Sequence, residues 1–220
     1  MTTLRIFLAV FPPAVVQEVA ARAIERLRRP GDGVSWVKQE NLHYTIRFLG
    51  DLGEDGARRA AEAASEAADR HRSFGARLGT LGAFPNPRRA RVLWAGLAEG
   101  AEPLEALAHD VEAALRRKGF DRADRPFAAH LTIGRVREPG PDWTEPLEQA
   151  AAAFRAEGDA AHFRVDRLLV VHSKLSPQGS FYTPRAEARL AGAKLEASTR
   201  RCANRHRGFS GLFPLPKCVM

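Results

Sequence analysis

Two short stretches of the chain carry residues suited to acid–base chemistry at neutral pH. They are His43-Tyr44-Thr45-Ile46 and, further on, His130-Leu131-Thr132-Ile133. With 7 His and 8 Thr in 220 residues, composition alone predicts roughly a quarter of one His-x-Thr triplet. Both lie in apolar, β-prone runs, HYTIRFL and HLTIGRV. On a strand, residues i and i+2 share a face. His43 therefore projects with Thr45, and His130 with Thr132, while Tyr44, Ile46, Leu131 and Ile133 turn into packing. Two such strands side by side offer two imidazoles and two hydroxyls to one small anion. Histidine titrates near neutral pH, so one ring can act as base and the other as acid. The threonine hydroxyls can donate to the oxygens of a phosphoryl group as their charge rises. By the same alternation Arg47 is expected on the face of His43 and Thr45, where it would attract phosphate; a solvated or structural arginine is the alternative.

Other candidates read more plainly. His71, His109, His162, His172 and His206 have no threonine two residues on and are expected at the surface or in packing. Trp36, Trp94 and Trp143 are expected in the core. Arg88, Arg89 and Arg91 flank a Pro85-Asn86-Pro87 turn; a solvated turn is the expectation, and a grip on an RNA backbone the alternative.

The elements that must position the two motifs are legible from periodicity. Residues 4–11 alternate as a buried strand. Pro12-Pro13 then opens a helix to about residue 29, which Gly31 and Gly33 end. A short extended piece over 34–37 precedes the first motif strand, 43–49. Alanines 57, 60, 61, 64, 67 and 68 recur at helical spacing within 54–72. Strands are expected over 74–84 and 90–97, joined by the proline turn. An amphipathic helix over 102–118 puts Leu104, Leu107, Ala108, Val111 and Leu115 on one face. The second motif strand spans 126–136. A helix over 142–156, a strand over 163–171 and a last strand near 180–190 complete the order. The expected fold is α+β and bilobal: two antiparallel-type sheets facing a central cleft, helices outside, and a pseudo-two-fold duplication. Residues 1–190 form one bilobal domain in this reading.

Composition narrows the class. No apolar run reaches the length needed to cross a bilayer, and the start, MTTLRIFLAVF, reads as a strand and not as a signal peptide. Both cysteines, Cys202 and Cys218, fall in the last twenty residues, which suits a reducing, cytoplasmic location without a disulfide framework. No His, Cys and carboxylate set has zinc-site spacing. Of the net charge of +8, residues 191–220 supply +5 from six Lys or Arg and one Glu. The body, at +3, suits a small anionic substrate better than a long nucleic-acid track. The tail, 191–220, loses all alternation and is expected to be a disordered or incidental basic appendage.

The two motifs and their flanks resemble the 2H phosphoesterase superfamily, and within it the bacterial and archaeal RNA 2′,3′-cyclic phosphodiesterases, also called 2′-5′ RNA ligases. The resemblance rests on RIFLAVF, WVKQENLHYTIRFLG, GAFPNPRRARVLWAGL, RPFAAHLTIGRVR and LSPQGSFYTPRAEARL, and spans about residues 4–190. One departure is Ala129, where relatives often carry proline, which could loosen the start of that strand. The resemblance implies metal-independent hydrolysis of RNA 2′,3′-cyclic phosphate ends to 2′-phosphomonoesters, with reverse 2′-5′ ligation as the other direction. It implies His43 as proton donor to the departing 3′ oxygen and His130 as proton acceptor from water; the residues alone do not orient the pair. It further implies Arg135 as a substrate-side arginine and Phe7 as a ring that stacks on the terminal base, a plain core phenylalanine being the alternative for Phe7. No cofactor is expected. The expected partner is RNA ending in a 2′,3′-cyclic phosphate, or a small cyclic nucleotide, acted on by a monomer away from membranes. The competing readings are a non-catalytic module that binds RNA ends, and a phosphodiesterase for another cyclic or 2′-5′-linked nucleotide. No P-loop supports ATP-driven ligation.

Overall fold

The computed structural model describes residues 3–138, 140–177 and 179–192. Nine strands and four helices appear among them: β1 (Leu4–Val10), α1 (Ala14–Leu27), β2 (Val34–Trp36), β3 (Tyr44–Leu52), α2 (Glu54–Ala68), β4 (Phe74–Phe84), β5 (Val92–Glu99), α3 (Ala101–Arg117), β6 (His130–Val136), α4 (Thr144–Ala156), β7 (His162–Val165), β8 (Arg167–Ser176) and β9 (Gly179–Arg189). All pairings between strands are antiparallel, in the order β7-β4-β5-β6-β3-β1-β8-β9, with β2 on the β3 side of β6. The expected α+β class and its duplicated plan are the ones observed. The strand expected over 163–171 is instead two, β7 and β8, broken at Asp166. Residues 193–220, almost all of the expected tail, lie outside the described residues.

Alternation along β1 sorts the two faces of the sheet. Leu4, Ile6, Leu8 and Val10 point into the main core beneath the helices, while Phe7 and Ala9 join Val171 on the opposite, open face. α1 starts right after Pro13, whose missing N–H costs nothing at a helix start. It buries Val16, Val19, Ala20, Ala23, Ile24 and Leu27 against the sheet. α2 buries a stripe of alanines, which lets it lie close to α3. α3 presents Leu104, Leu107, Val111 and Leu115 and stops where Gly119 adopts a left-handed φ of 81°.

The sheet order reads as two mirrored quartets, β7-β4-β5-β6 and β9-β8-β1-β3. They meet at a single pairing, Tyr44 opposite Leu131. An antiparallel pair carries a local two-fold axis between its opposed residues, and here that axis exchanges β3 with β6, β1 with β5 and β8 with β4. The helices obey the same exchange: α1 packs on β6 and α4, as α3 packs on β3 and α2. The first half of the chain therefore lends β4 to the other half's quartet, and the second half lends β8 and β9. β4 follows the first motif but sits beside β5; β8 follows the second but sits beside β1.

Candidate active site

The residues facing the open side around the Tyr44–Leu131 pairing are those of the two motifs. Tyr44 and Leu131 are fully buried beneath the helices. Continuing the register by one residue each way sets His43 opposite Thr132 and Thr45 opposite His130, all four on the other face. The sheet thus brings the two pairs together, as the motif spacing required.

Each imidazole is oriented by the same local device. The Nδ1–H of His43 donates to the carbonyl of Asn41 at 2.7 Å, and that of His130 donates to the carbonyl of Ala128 at 2.8 Å. A carbonyl can only accept, so Nδ1 carries the proton in both rings and Nε2 is left for chemistry. On neutral His43 the hydroxyl of Thr45 donates to Nε2 at 2.9 Å. β6 begins at His130 itself, later than the start expected at 126, and Ala129 precedes it outside the strand.

What surrounds the two rings differs. His43 stacks on Phe11 (centroids 5.0 Å, 23°), leans on Phe7 (5.0 Å, 35°) and meets Tyr182 edge-on (5.3 Å, 88°). His130 meets Phe84 edge-on at 5.1 Å, and Phe84 in turn leans on Trp94. Burial among the aromatic rings lowers the pKa of His43 from 6.5 to about 4. The Asn41 carbonyl pulls the other way, and the positive charges of Arg135 and His130 add to the lowering. Both charges therefore reach His43 across the β3–β6 junction.

Two arginines change places relative to simple alternation. β1 pairs Ala9 with Thr45 and then Leu8 with Arg47, which leaves Ile46 as an extra residue in β3. β5 pairs Trp94 with Thr132 and then Leu93 with Gly134, which leaves Ile133 as an extra residue in β6. Both motifs thus hold a β-bulge at their fourth residue, and a bulge reverses facing for everything beyond it. Arg47 is turned with Leu8 to the helix side. There its Nε lies 3.0 Å from Glu112 Oε2 and its Nη2–H donates to the Asp121 carbonyl at 2.7 Å. The expectation that Arg47 faces the site is corrected. Arg135 is turned to the site face, level with Val92 and Ser35.

Phe7 is also placed otherwise than the resemblance implied. It is 4% exposed, on a strand flanked on both sides by β3 and β8, and it floors His43 without a free face for a base. The rings that border open space beside His43 are Phe11, Phe181 and Tyr182. With Lys38, Asn41, Leu169 and Val171 they line a cavity of about 270 Å³ beside His43. Sequence reasoning passed over Phe11, Tyr182 and Asn41. Only Asn41 left a signal, a side-chain amide two residues before the histidine. Its Nδ2–H donates to the Ser180 carbonyl at 2.9 Å and ties β9 to the motif. Buried Gln17 on α1 likewise donates from Nε2 to the Leu42 carbonyl at 2.9 Å, fixing the strand entrance.

Trp94 is on the site face, opposite Thr132, and not in the helix-side core. It lies flat because Gly82 and Gly96 are bare: a Cβ on Gly82 would stand 2.3 Å from the indole, and one on Gly96 2.9 Å. Trp143 is buried as expected, and Trp36 is half-buried. Arg88 sits 3.6 Å from Asp142 on an open turn. Among the described residues no group of three or more His, Cys, Asp or Glu is arranged to hold a metal ion, and no helix is long and apolar enough to cross a membrane.

Comparison with known proteins adds to this geometry. The sequence profile of the 2′-5′ RNA ligase superfamily matches residues 15–176. An RNA 2′,3′-cyclic phosphodiesterase of Archaeoglobus fulgidus is 35% identical over 81% of this chain and 96% of its own. One of Methanothermobacter thermautotrophicus is 31% identical over 84% of this chain and 98% of its own. Among solved structures, TT0787 of Thermus thermophilus aligns with a TM-score of 0.70 and 27% identity, covering 86% of this chain and all of that one.

Proposed function

Because the chain belongs to the 2′-5′ RNA ligase superfamily, the 2H phosphoesterases, we propose that it hydrolyses RNA 2′,3′-cyclic phosphate ends to 2′-phosphomonoesters, with His43 and His130 as acid and base. The observation that supports this most is the pair of bulged motif strands, which set two His/Thr couples about one local axis on one face. Water attacks the phosphorus while His130 Nε2 takes its proton. The bond from phosphorus to the 3′ oxygen breaks, and His43 Nε2 delivers a proton to that oxygen. Thr45, Thr132 and Arg135 stabilise the non-bridging oxygens as charge builds. The cavity beside His43, walled in part by Phe11 and Tyr182, receives the terminal base.

The burial of His43 bears on the roles. With a pKa of about 4, His43 is neutral at pH 7. A donor must be protonated, so this role depends on the substrate's phosphate, whose negative charge beside the ring offsets its burial and the positive charge of Arg135. Reverse ligation uses the same groups with roles exchanged. Both couples come from one chain, so a monomer suffices, and no step calls on a metal.

The test is an RNA ending in 2′,3′-cyclic phosphate, incubated with the protein in EDTA. A 2′-phosphate product supports the proposal, together with a loss of about a hundredfold or more in His43→Asn and in His130→Asn. A 3′-phosphate product, or full turnover in either variant, rejects it.

A further inference from the structure

We propose that Phe48 and Arg5 form a second nucleotide subsite, which takes the RNA residue on the 5′ side of the cyclic-phosphate end; this rests on the phosphodiesterase reading of the adjacent dyad. The bulge at Ile46 that turns Arg47 away turns Phe48 toward the site face, where it pairs with Phe7. A second irregularity at Leu49 keeps Arg5 level with Asp51 on that same face. Phe48 thus stands two β1 residues beyond the level of Thr45, a step of about 7 Å along the strand.

Three observations mark the position. Under the two-fold exchange, Phe48 occupies the place of Arg135, the first site-facing residue after the bulge. The half that lacks the cation carries a large ring there. That ring is 45% exposed, although its register partner Phe7 is buried. The Arg5 guanidinium stands 4.8 Å over its centroid, and Arg5 makes no ion pair among the described residues. The exposed carboxylate of Asp51, across the pairing from Arg5, tempers the charge.

An open aromatic ring joined to a guanidinium plane is the surface on which single-stranded bases stack, with the arginine also near the backbone phosphate. The helix side of the sheet is already packed, and Thr45 and Phe48 both lie on the opposite, open face. A chain whose 3′ end sits between the histidines extends over this platform.

The experiment compares kcat/KM on a nucleoside 2′,3′-cyclic phosphate and on a trinucleotide ending in the same group, for the wild type, Phe48→Ala, Phe48→Leu and Arg5→Ala. Wild type is expected to favour the trinucleotide. Phe48→Ala and Arg5→Ala should lose about tenfold on it, through KM, with the mononucleotide unchanged. Phe48→Leu, which keeps apolar bulk without a stacking face, should lose nearly as much. An unaltered preference for the trinucleotide in the variants, or an equal loss on both substrates, overturns the subsite. If wild type turns over neither substrate, the phosphodiesterase reading fails on its own. Fluorescence anisotropy of a labelled trinucleotide 3′-phosphate then decides the subsite: about tenfold weaker binding in Phe48→Ala supports it, and equal binding overturns it.

Discussion

At the scale of single residues, the site holds two histidines of the same tautomer in unlike surroundings. Three aromatic rings wall His43, and burial makes its charged form costly. This has a consequence for stability. The unfolded chain takes up the proton near pH 6.5, while the folded chain waits until about pH 4. Between those values the unfolded state binds more protons, so stability rises with pH. The contribution is fully present above pH 6.5, is lost as pH falls toward 4, and amounts to at most about 3 kcal/mol. Denaturant titrations of wild type and His43→Gln should therefore diverge in slope across that window; parallel curves would mean that the ring is solvated. Function follows from the same residue. If substrate phosphate restores the donor form, binding a nucleoside 2′-phosphate at pH 7 should draw close to one proton from solution. Calorimetry in buffers of different ionisation enthalpy measures this uptake. No uptake would assign His43 as the base and His130 as the acid.

At the scale of elements, the two bulges decide which arginine meets the substrate. Arg135→Gln should lower kcat/KM by tenfold or more, through the loss of a charge-assisted bond to the phosphoryl oxygens. Arg47→Gln should leave kcat/KM unchanged and cost about 1–2 kcal/mol of stability, because half-buried Glu112 loses its partner. The opposite outcome would place Arg47 in the site and refute the register. The motif strands, the amphipathic stripe of α3 and the proline turn were legible in the sequence because apolar spacing records which face is buried. The bulges were not. Ile46 and Ile133 are ordinary strand residues, and nothing in an alternating pattern says that one of them has no partner across the pair. Alternation alone therefore put Arg47 in the site. A similar blindness merged β7 with β8: the helix-side positions shift from odd at Phe163 and Val165 to even at Leu168 and Val170, but residues 168–171 are all apolar and hide the change of phase.

At the scale of the whole molecule, the exchange of β4 and β8 makes each half incomplete without the other. The two quartets share one helix-covered core and touch at one strand pair, so the protein should unfold in a single transition. Separate fragments ending and beginning near residue 90 should not fold alone; a well-dispersed NMR spectrum from either would contradict the shared core. The duplication was visible in sequence only as the motif echo and the order of elements. The exchange was not, because strand order depends on pairings far apart along the chain. Tyr182 escaped for the same reason, because it reaches His43 only after β8 and β9 close beside β1; Phe11 is carried there by the β1–β3 pairing, one residue past Val10 opposite Tyr44. The central claim is that the two imidazoles serve one phosphate, and NMR of 15N-labelled histidine during titration with a nucleoside 2′-phosphate tests it most directly. The Nε2 signals of His43 and His130 should move together, along one saturation curve with one Kd and one ligand per chain. Movement of only one of them, or two curves with different Kd, would contradict it.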